Sequence, residues 1–444
     1  MNRRARRIAA ALFATTLGAA ACSSSGDDET TTTADATSAP APTEPGDIPE
    51  GSTVGITDTG ITVSVIYSDT AALAEAGIVP DIGDPVEDFQ MFFDEANGAG
   101  GAGGLEVTLT SHDFPPGAPA TDQQPTCVAA TEDDEAAIVI YIGGMTEEVV
   151  LCASEEHERI AYVLAGPLTQ DAYDRSQRRL FNHNMSADRL MAGWAQALHD
   201  NGTLEGATLG LVRMDRADQE RTGAALRAAL EDLGYELAEE IALPCDVNSC
   251  QQSDVAVERL SSSGVDHVFS TLGALSYPTL ISAADAAGYE PQWLSSDYEN
   301  QVFDVTARFM DSVKEGYDGA IGFSAGLEEP ASDPFGEDCN ARFTEATGKT
   351  YEYDTDKWRL VRTSCGAVET IVGALDYAQE TYGVINQATI IEGLEAVGPP
   401  TLGDQTATWS DTKHDGANVG VLKVFGADCL CWTEIEGTRN DYAE

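Results

Sequence analysis

Basic residues are scarce in this chain. It has 24 lysines and arginines against 75 aspartates and glutamates, a formal charge of −51 over 444 residues. Four of those arginines lie in the first seven residues, and the first 21 residues contain no acid. Without that segment the charge is −55. A surface so acidic repels phosphate backbones and anionic headgroups, which excludes nucleic-acid binding and electrostatic membrane docking. Beyond the N-terminus no apolar run approaches the about 18 residues that span a bilayer. Histidine is also sparse, and His112, His157, His183, His199, His267 and His414 are scattered. There is no Gly-x-Ser-x-Gly, no P-loop and no His-Glu-x-x-His. These absences argue against an enzyme, and an extracellular hydrolase would need a nucleophile–base pair that no motif supplies. No cofactor and no metal is expected.

What the chain does have starts with a targeting segment. MNRRARR is a basic n-region, and Ile8–Leu17 is an apolar stretch too short to span a bilayer. Residues 1–21 read as a signal peptide. Gly18-Ala19-Ala20-Ala21-Cys22 resembles a bacterial lipobox, implying cleavage before Cys22 and a thioether-linked diacylglyceryl group on it. Ala19 stands where leucine is usual, and ordinary cleavage with a free Cys22 is the alternative. Residues 22–55 are rich in Ser, Thr, Asp, Ala and Pro, and cannot bury enough surface to offset ordering. They read as a lipidated disordered tether that keeps a folded body at the outer face of the membrane.

The folded body is organised around Val86–Pro115. Val86, Phe89, Phe93 and Ala96 form one apolar helical stripe. The glycine-rich run Asn97–Gly104 stops that helix, and Leu105–Thr110 alternates as a strand. With Gly60–Tyr67 upstream this is a βαβ crossover, the unit of a parallel sheet. Continuous apolar strands at Ala136–Ile142 and Ile160–Ala165 extend it. A second set of βα units runs from Ala207 through strands near Tyr235–Leu243, Asp266–Leu272 and Gln292–Ser296. Helices are expected at Asn340–Ala346, Trp358–Tyr382 and Asn386–Ala396, after an acidic, proline-rich loop over Glu328–Asp338. Strand Val419–Val424 closes the second set.

The order ITVSVIY, loop, amphipathic helix and DEANGAGGAGGLEVTL resembles the leucine/isoleucine/valine-binding protein family, the type I extracytoplasmic solute-binding proteins of ABC importers. The likeness extends more weakly from Gly60 to the C-terminus. It implies an α/β fold of two Rossmann-like lobes with parallel sheets, joined by a three-strand hinge. Lobe 1 would comprise residues 56–187 with 320–400, and lobe 2 residues 188–319 with 401–444. It also implies a monomer that holds a small-molecule ligand in the interlobe cleft and works with an ABC permease. A ligand-sensing receptor of the same fold without a transport role is the alternative.

In that family the loops after the third and fourth strands hold a ligand carboxylate. By position these are Thr146 and Glu147, and Pro167 and Thr169. Glu147 departs from the serine often found there and would repel a carboxylate. Tyr67 would act as a lid, and Asp188 as a ligand or hinge residue. Tyr277 would be the cleft aromatic, and Asp297 the acid that receives an ammonium group. The implied ligand is an amino acid, an amide or a related polar compound, and two acids facing the cleft would favour a cation.

Eight cysteines remain beyond Cys22, an even number in an exported chain. Sequence neighbours would pair as Cys127–Cys152, Cys245–Cys250, Cys339–Cys365 and Cys429–Cys431, although spacing alone leaves the connectivity open. The first pair resembles a disulfide common in the family's first lobe. Cys-Leu-Cys and Cys-x4-Cys lack the usual zinc spacing.

Overall fold

The computed structural model describes residues 48–75, 79, 81–164, 166–245, 249–325, 333–400 and 407–442. The signal peptide, Cys22 and most of the tether lie outside the described residues. Five strands form the first sheet: β1 (Gly60–Ser68), β2 (Glu106–Phe114), β3 (Ile138–Ile142), β4 (Ile160–Val163) and β5 (Leu180–Asn182). They are all parallel, in the order β2-β1-β3-β4-β5. The second sheet contains β6 (Leu209–Met214), β7 (Leu237–Leu243), β8 (His267–Ser270), β9 (Gln292–Ser296), β10 (Ile321–Ser324), β11 (Val419–Gly426) and β12 (Cys431–Glu434). Its order is β12-β11-β10-β9-β8-β6-β7, with β13 (Asn440–Asp441) paired to β11. β6 to β10 are parallel, whereas β11 to β13 pair antiparallel at one edge. The family resemblance implied this two-sheet α/β architecture. The β11–β12 hairpin was not legible beforehand, because Gly426–Leu430 carries no short-hairpin dipeptide.

The crossover begins with β1, whose Gly60 aligns with Glu106 of β2 after helix Pro85–Ala99 returns the chain. Asp84 caps that helix by accepting from the backbone N–H groups of Val86 and Glu87, with Pro85 at its start. The glycine run then turns sharply. Gly101 has φ +87°, and a Cβ there would lie 2.2 Å from the Leu105 carbonyl oxygen, so only glycine fits. The buried face of the helix is Pro85, Asp88, Phe89, Phe92 and Phe93, with Val86 and Ala96 only half-buried. The expected stripe was therefore rotated, and Phe92 and an acid sit inside it.

Both faces of the first sheet are covered. Val63, Val65, Ile138 and Ile140 pack with Phe89, Phe93 and the long helix Asp356–Tyr382 on one side. Ile66, Val139, Tyr141 and the Cys127–Cys152 disulfide fill the other. The second sheet is likewise enclosed, with Trp194, Phe269 and Phe323 on one face and Trp293, Tyr317 and Phe425 on the other. The chain passes between the sheets three times: after β5, after β10, and after helix Gln387–Val397 on its way to β11. The segment expected to be a loop over Glu328–Asp338 becomes helical from Pro334, because proline opens helix Pro334–Thr347 as a first residue without an orphaned N–H. The other three disulfides join Cys245 to Cys250, Cys339 to Cys365 and Cys429 to Cys431. No helix among the described residues is long and apolar enough to cross a membrane.

Asp88 is the anomaly of the first core. Burial, and then the nearby Glu87 and Asp84 charges, push its carboxyl up to about 8 from 3.8. A folded-state value above the unfolded one means that the native state holds the proton more tightly. Its contribution to stability is complete below about pH 4 and is lost as the pH rises through 8. Asp88→Asn should therefore leave urea stability unchanged near pH 4 and raise it by roughly 2–5 kcal/mol at pH 9. Equal stabilities at both pH values would show that the carboxyl is hydrated.

Candidate functional site

Parallel strands put all their carboxyl ends at one edge of a sheet, and the loops leaving those ends face each other across the two sheets. Between them lies a cavity of about 350 Å³. From the first sheet come Gly143, Gly144, Met145 and Glu147 after β3, and Leu164, Gly166, Pro167 and Leu168 after β4. The segment after β5 adds His183 and Asn184. From the second sheet come Arg216 and Asp218 after β6, and Asp297–Asn300 with Phe303 after β9. Thr363 of the long helix completes the wall. Gly143 takes φ +88° where β3 ends, with Ser68 Cβ 3.1 Å from where its own Cβ would be. Gly144 and Gly166 have nothing within 4 Å in that direction, so both leave the floor open.

Glu147 is the most constrained group here. It is 3% exposed, yet it lies against the cavity. Its Oε2 accepts from the Thr169 backbone N–H at 2.9 Å and from the Thr169 hydroxyl at 2.7 Å. Its Oε1 accepts from Arg221 Nη2 on helix Ala217–Asp232, which belongs to the second sheet's layer. The pair bridges the lobes, and the protein's own carboxylate takes the donors that Thr169 would offer to a ligand.

A second network lies opposite. Arg216 Nε donates to Asp218 Oδ1 at 3.1 Å, and its Nη2 donates to Glu299 Oε1 at 2.8 Å. Gln219 joins it, donating to Glu299 at 3.1 Å and accepting from the Thr271 hydroxyl at 2.6 Å. Burial works to raise the Asp218 carboxyl, but the hydrogen bond and charge of Arg216 overcome it and hold the carboxyl below its ordinary value. Glu299 goes the other way. Burial raises its carboxyl, and Arg216 only partly compensates. Glu299 and Asn300 both lie in the left-handed region, at φ 55° and 60°. Non-glycine residues there cost on the order of 1–3 kcal/mol each, and the strain aims the turn after β9 at the cleft. Asp297, 4% exposed, accepts from the Ser324 hydroxyl at 3.0 Å. His183 is held neutral, as burial pushes its imidazole down to about 3, and its Nε2 lies 2.7 Å from the Tyr162 hydroxyl.

Of the residues expected at the cleft, Glu147, Pro167 and Asp297 line the cavity. Thr169 sits behind Glu147. Thr146 is turned to Gln123, its N–H and hydroxyl donating to Oε1 at 2.8 and 3.3 Å. Asp188 accepts from the Gln170 N–H at 2.6 Å and so tethers the first lobe to helix Ala187–Asp200. Tyr67 ends β1 half-buried beside β2 and is not among the lining residues. Tyr277 needs a correction. It is fully buried in the second core, with ring centroids 5.9 Å from Trp293 and 5.5 Å from Tyr317. It opens helix Tyr277–Ala287, and that position turns its ring onto the sheet rather than into the cleft. Arg216 and Asp218, which follow β6, and Glu299, which follows β9, were not singled out in the sequence. Phe303 and Thr363 had no local signal.

A family model described as periplasmic binding protein matches residues 60–427. No curated protein matches the chain. Among solved structures, a Desulfitobacterium hafniense ABC transporter substrate-binding protein in complex with Leu is similar, with 16% identity and a TM-score of 0.58 over 85% of this chain and 100% of that one. A branched-chain amino acid ABC transporter protein from Thermus thermophilus with bound valine gives 13% identity and a TM-score of 0.62 over 85% and 96%. A fatty acid ABC transporter substrate-binding protein from Thermomonospora curvata gives 16% and 0.60 over 89% and 96%. At such identities the likeness establishes the fold.

The Glu147–Arg221 pair should show itself in a double-mutant cycle. Glu147→Gln and Arg221→Met should each destabilise the protein in urea, with a coupling of about 1–3 kcal/mol between them. Strict additivity would mean that the pair contributes nothing across the cleft.

Proposed function

The chain belongs to the periplasmic binding protein family, and from that premise we propose that it is an extracytoplasmic solute-binding protein that delivers a small polar ligand to an ABC importer. The observation that carries this reading is the cavity itself, closed by strand-end loops of both sheets and crowded with charged and amide groups. Three chain crossings leave the two lobes free to open and close around it. The N-terminal pattern supports a lipid-anchored form: secretion, cleavage before Cys22, acylation there, and a tether of about thirty residues between membrane and body. A monomer suits such a tether, and the partner is a permease of the importer. No turnover is expected of the cleft, because the family is one of binding proteins.

The ligand class is an amino acid, an amide or a related polar compound. The structures with bound leucine or valine make an amino acid the natural first candidate. The cleft of this chain modifies that candidate, since four carboxylates (Glu147, Asp218, Asp297 and Glu299) line it against the single guanidinium of Arg216. An acid excess inside a low-dielectric cleft favours a ligand with a positive charge. Asp297 would receive its ammonium group.

Thermal unfolding of the purified protein against amino acids, amides, urea, polyamines and sugars tests the reading. A ligand at 100 times its Kd should raise the melting temperature by about 3 °C, and Asp297→Asn should abolish the shift. If no small molecule shifts the transition or gives a binding heat, solute binding is the wrong function.

A further inference from the structure

The cavity does not end at its charged chamber. A second hollow of about 290 Å³ adjoins it, and Leu164, Phe303 and Thr363 line both. The rest of its wall is formed by the apolar Ile82, Ile142 and Leu360 together with Asp356 and Arg359, whose guanidinium donates to Asp354 Oδ1 at 2.7–2.9 Å. Ile142 and Leu164 sit at or just beyond the ends of β3 and β4, so the hollow opens along the same strand edge as the charged chamber. One face of the cleft is therefore crowded with charge, while the adjoining hollow offers mostly apolar surface, with Arg359 at its wall already paired to Asp354.

The charged chamber is poorly suited to an anionic headgroup. Thr169 and Arg221 already hold the Glu147 carboxylate, and Arg216 is engaged by Asp218 and Glu299. Counting Arg221 with Arg216, the four carboxylates still outnumber the cations by two. A ligand carboxylate would have to displace a buried intramolecular one and would meet the remaining acids. An ammonium group meets an excess of acceptors.

The geometry points to an amphipathic cation as the ligand, with its ammonium head in the acid-lined chamber and its apolar tail in the hollow walled by Ile82, Ile142 and Leu360. This rests on the solute-binding reading above and narrows it to amines that carry a hydrocarbon portion and no carboxylate. The shared wall of Leu164 and Phe303 is the point at which the head passes into the tail. Burial of a methylene contributes about 0.8 kcal/mol, so each one added to the tail tightens binding about fourfold until the hollow is filled.

Calorimetric titration of the full chain at neutral pH with ethylamine, butylamine, hexylamine and octylamine, and with butanoate, hexanoate and octanoate, tests this. The dissociation constant should fall along the amine series, and the alkanoates should not saturate the protein. Ile82→Asn should flatten the dependence on chain length, because Ile82 lies half-buried in a loop at the tail end. An unchanged melting temperature would confirm that this variant is folded. A flat amine series in the unaltered protein, or an alkanoate bound as tightly as its amine, overturns the proposal. Tight binding of an untailed zwitterion with no response to the amines overturns it and leaves solute binding intact. Silence from every compound, including the wider panel above, overturns both.

Discussion

Parallel pairing requires that each strand be entered from the same end, so every return passes outside the sheet and every outgoing loop emerges at one edge. That constraint acts twice in this chain. β1 to β5 send their outgoing loops to one edge of the first sheet, β6 to β10 do so in the second, and the charged cavity lies between the two edges. The chemistry of the cavity then depends mainly on those loops and the helix starts that follow them, with Thr363 of the long helix added. The strands behind it are buried on both faces and hold the loops in place, as the fully buried run Ile138–Ile142 does for Gly143 to Glu147.

Charge shapes the molecule at two scales. The exterior carries a large acid excess that is spread and hydrated. Inside the cleft the same bias becomes local, and each buried acid has to find a partner. Glu147 finds Thr169 and Arg221, Asp218 finds Arg216, and Glu299 shares that guanidinium with Gln219 as a neighbour. Few arginines are available in so acidic a chain, and those at the cleft are drawn into holding the protein's own acids. Recognition is left to the surplus of acceptors and to the apolar wall beside them.

Much of the fold was legible because helical and strand periods, glycine punctuation and the crossover pattern are local properties of the sequence. The element β9 has the bounds read from the sequence, Gln292–Ser296. The site was legible only as loops. That Glu147 would lie at the cleft followed from its place after a buried strand, but its partners did not. Arg221 is a full turn into a helix, and Thr363 is about two turns into another, so no short-range pattern marks them. Tyr277 shows the converse. Its position in the chain suggested a cleft aromatic, and the helix that starts with it turned the ring into the core. Hairpin β11–β12 and the rotated stripe that buries Asp88 and Phe92 were likewise decided by packing partners distant in sequence.

The four disulfides have a mechanical consequence. Cys127–Cys152 and Cys339–Cys365 each staple elements packed on the first sheet, whereas Cys245–Cys250 and Cys429–Cys431 each close a short span on the second. Every covalent cross-link removes internal freedom from one body and none from the relation between the two. In an oxidising compartment the molecule therefore stiffens as a pair of blocks, while the three main-chain crossings between them carry no disulfide.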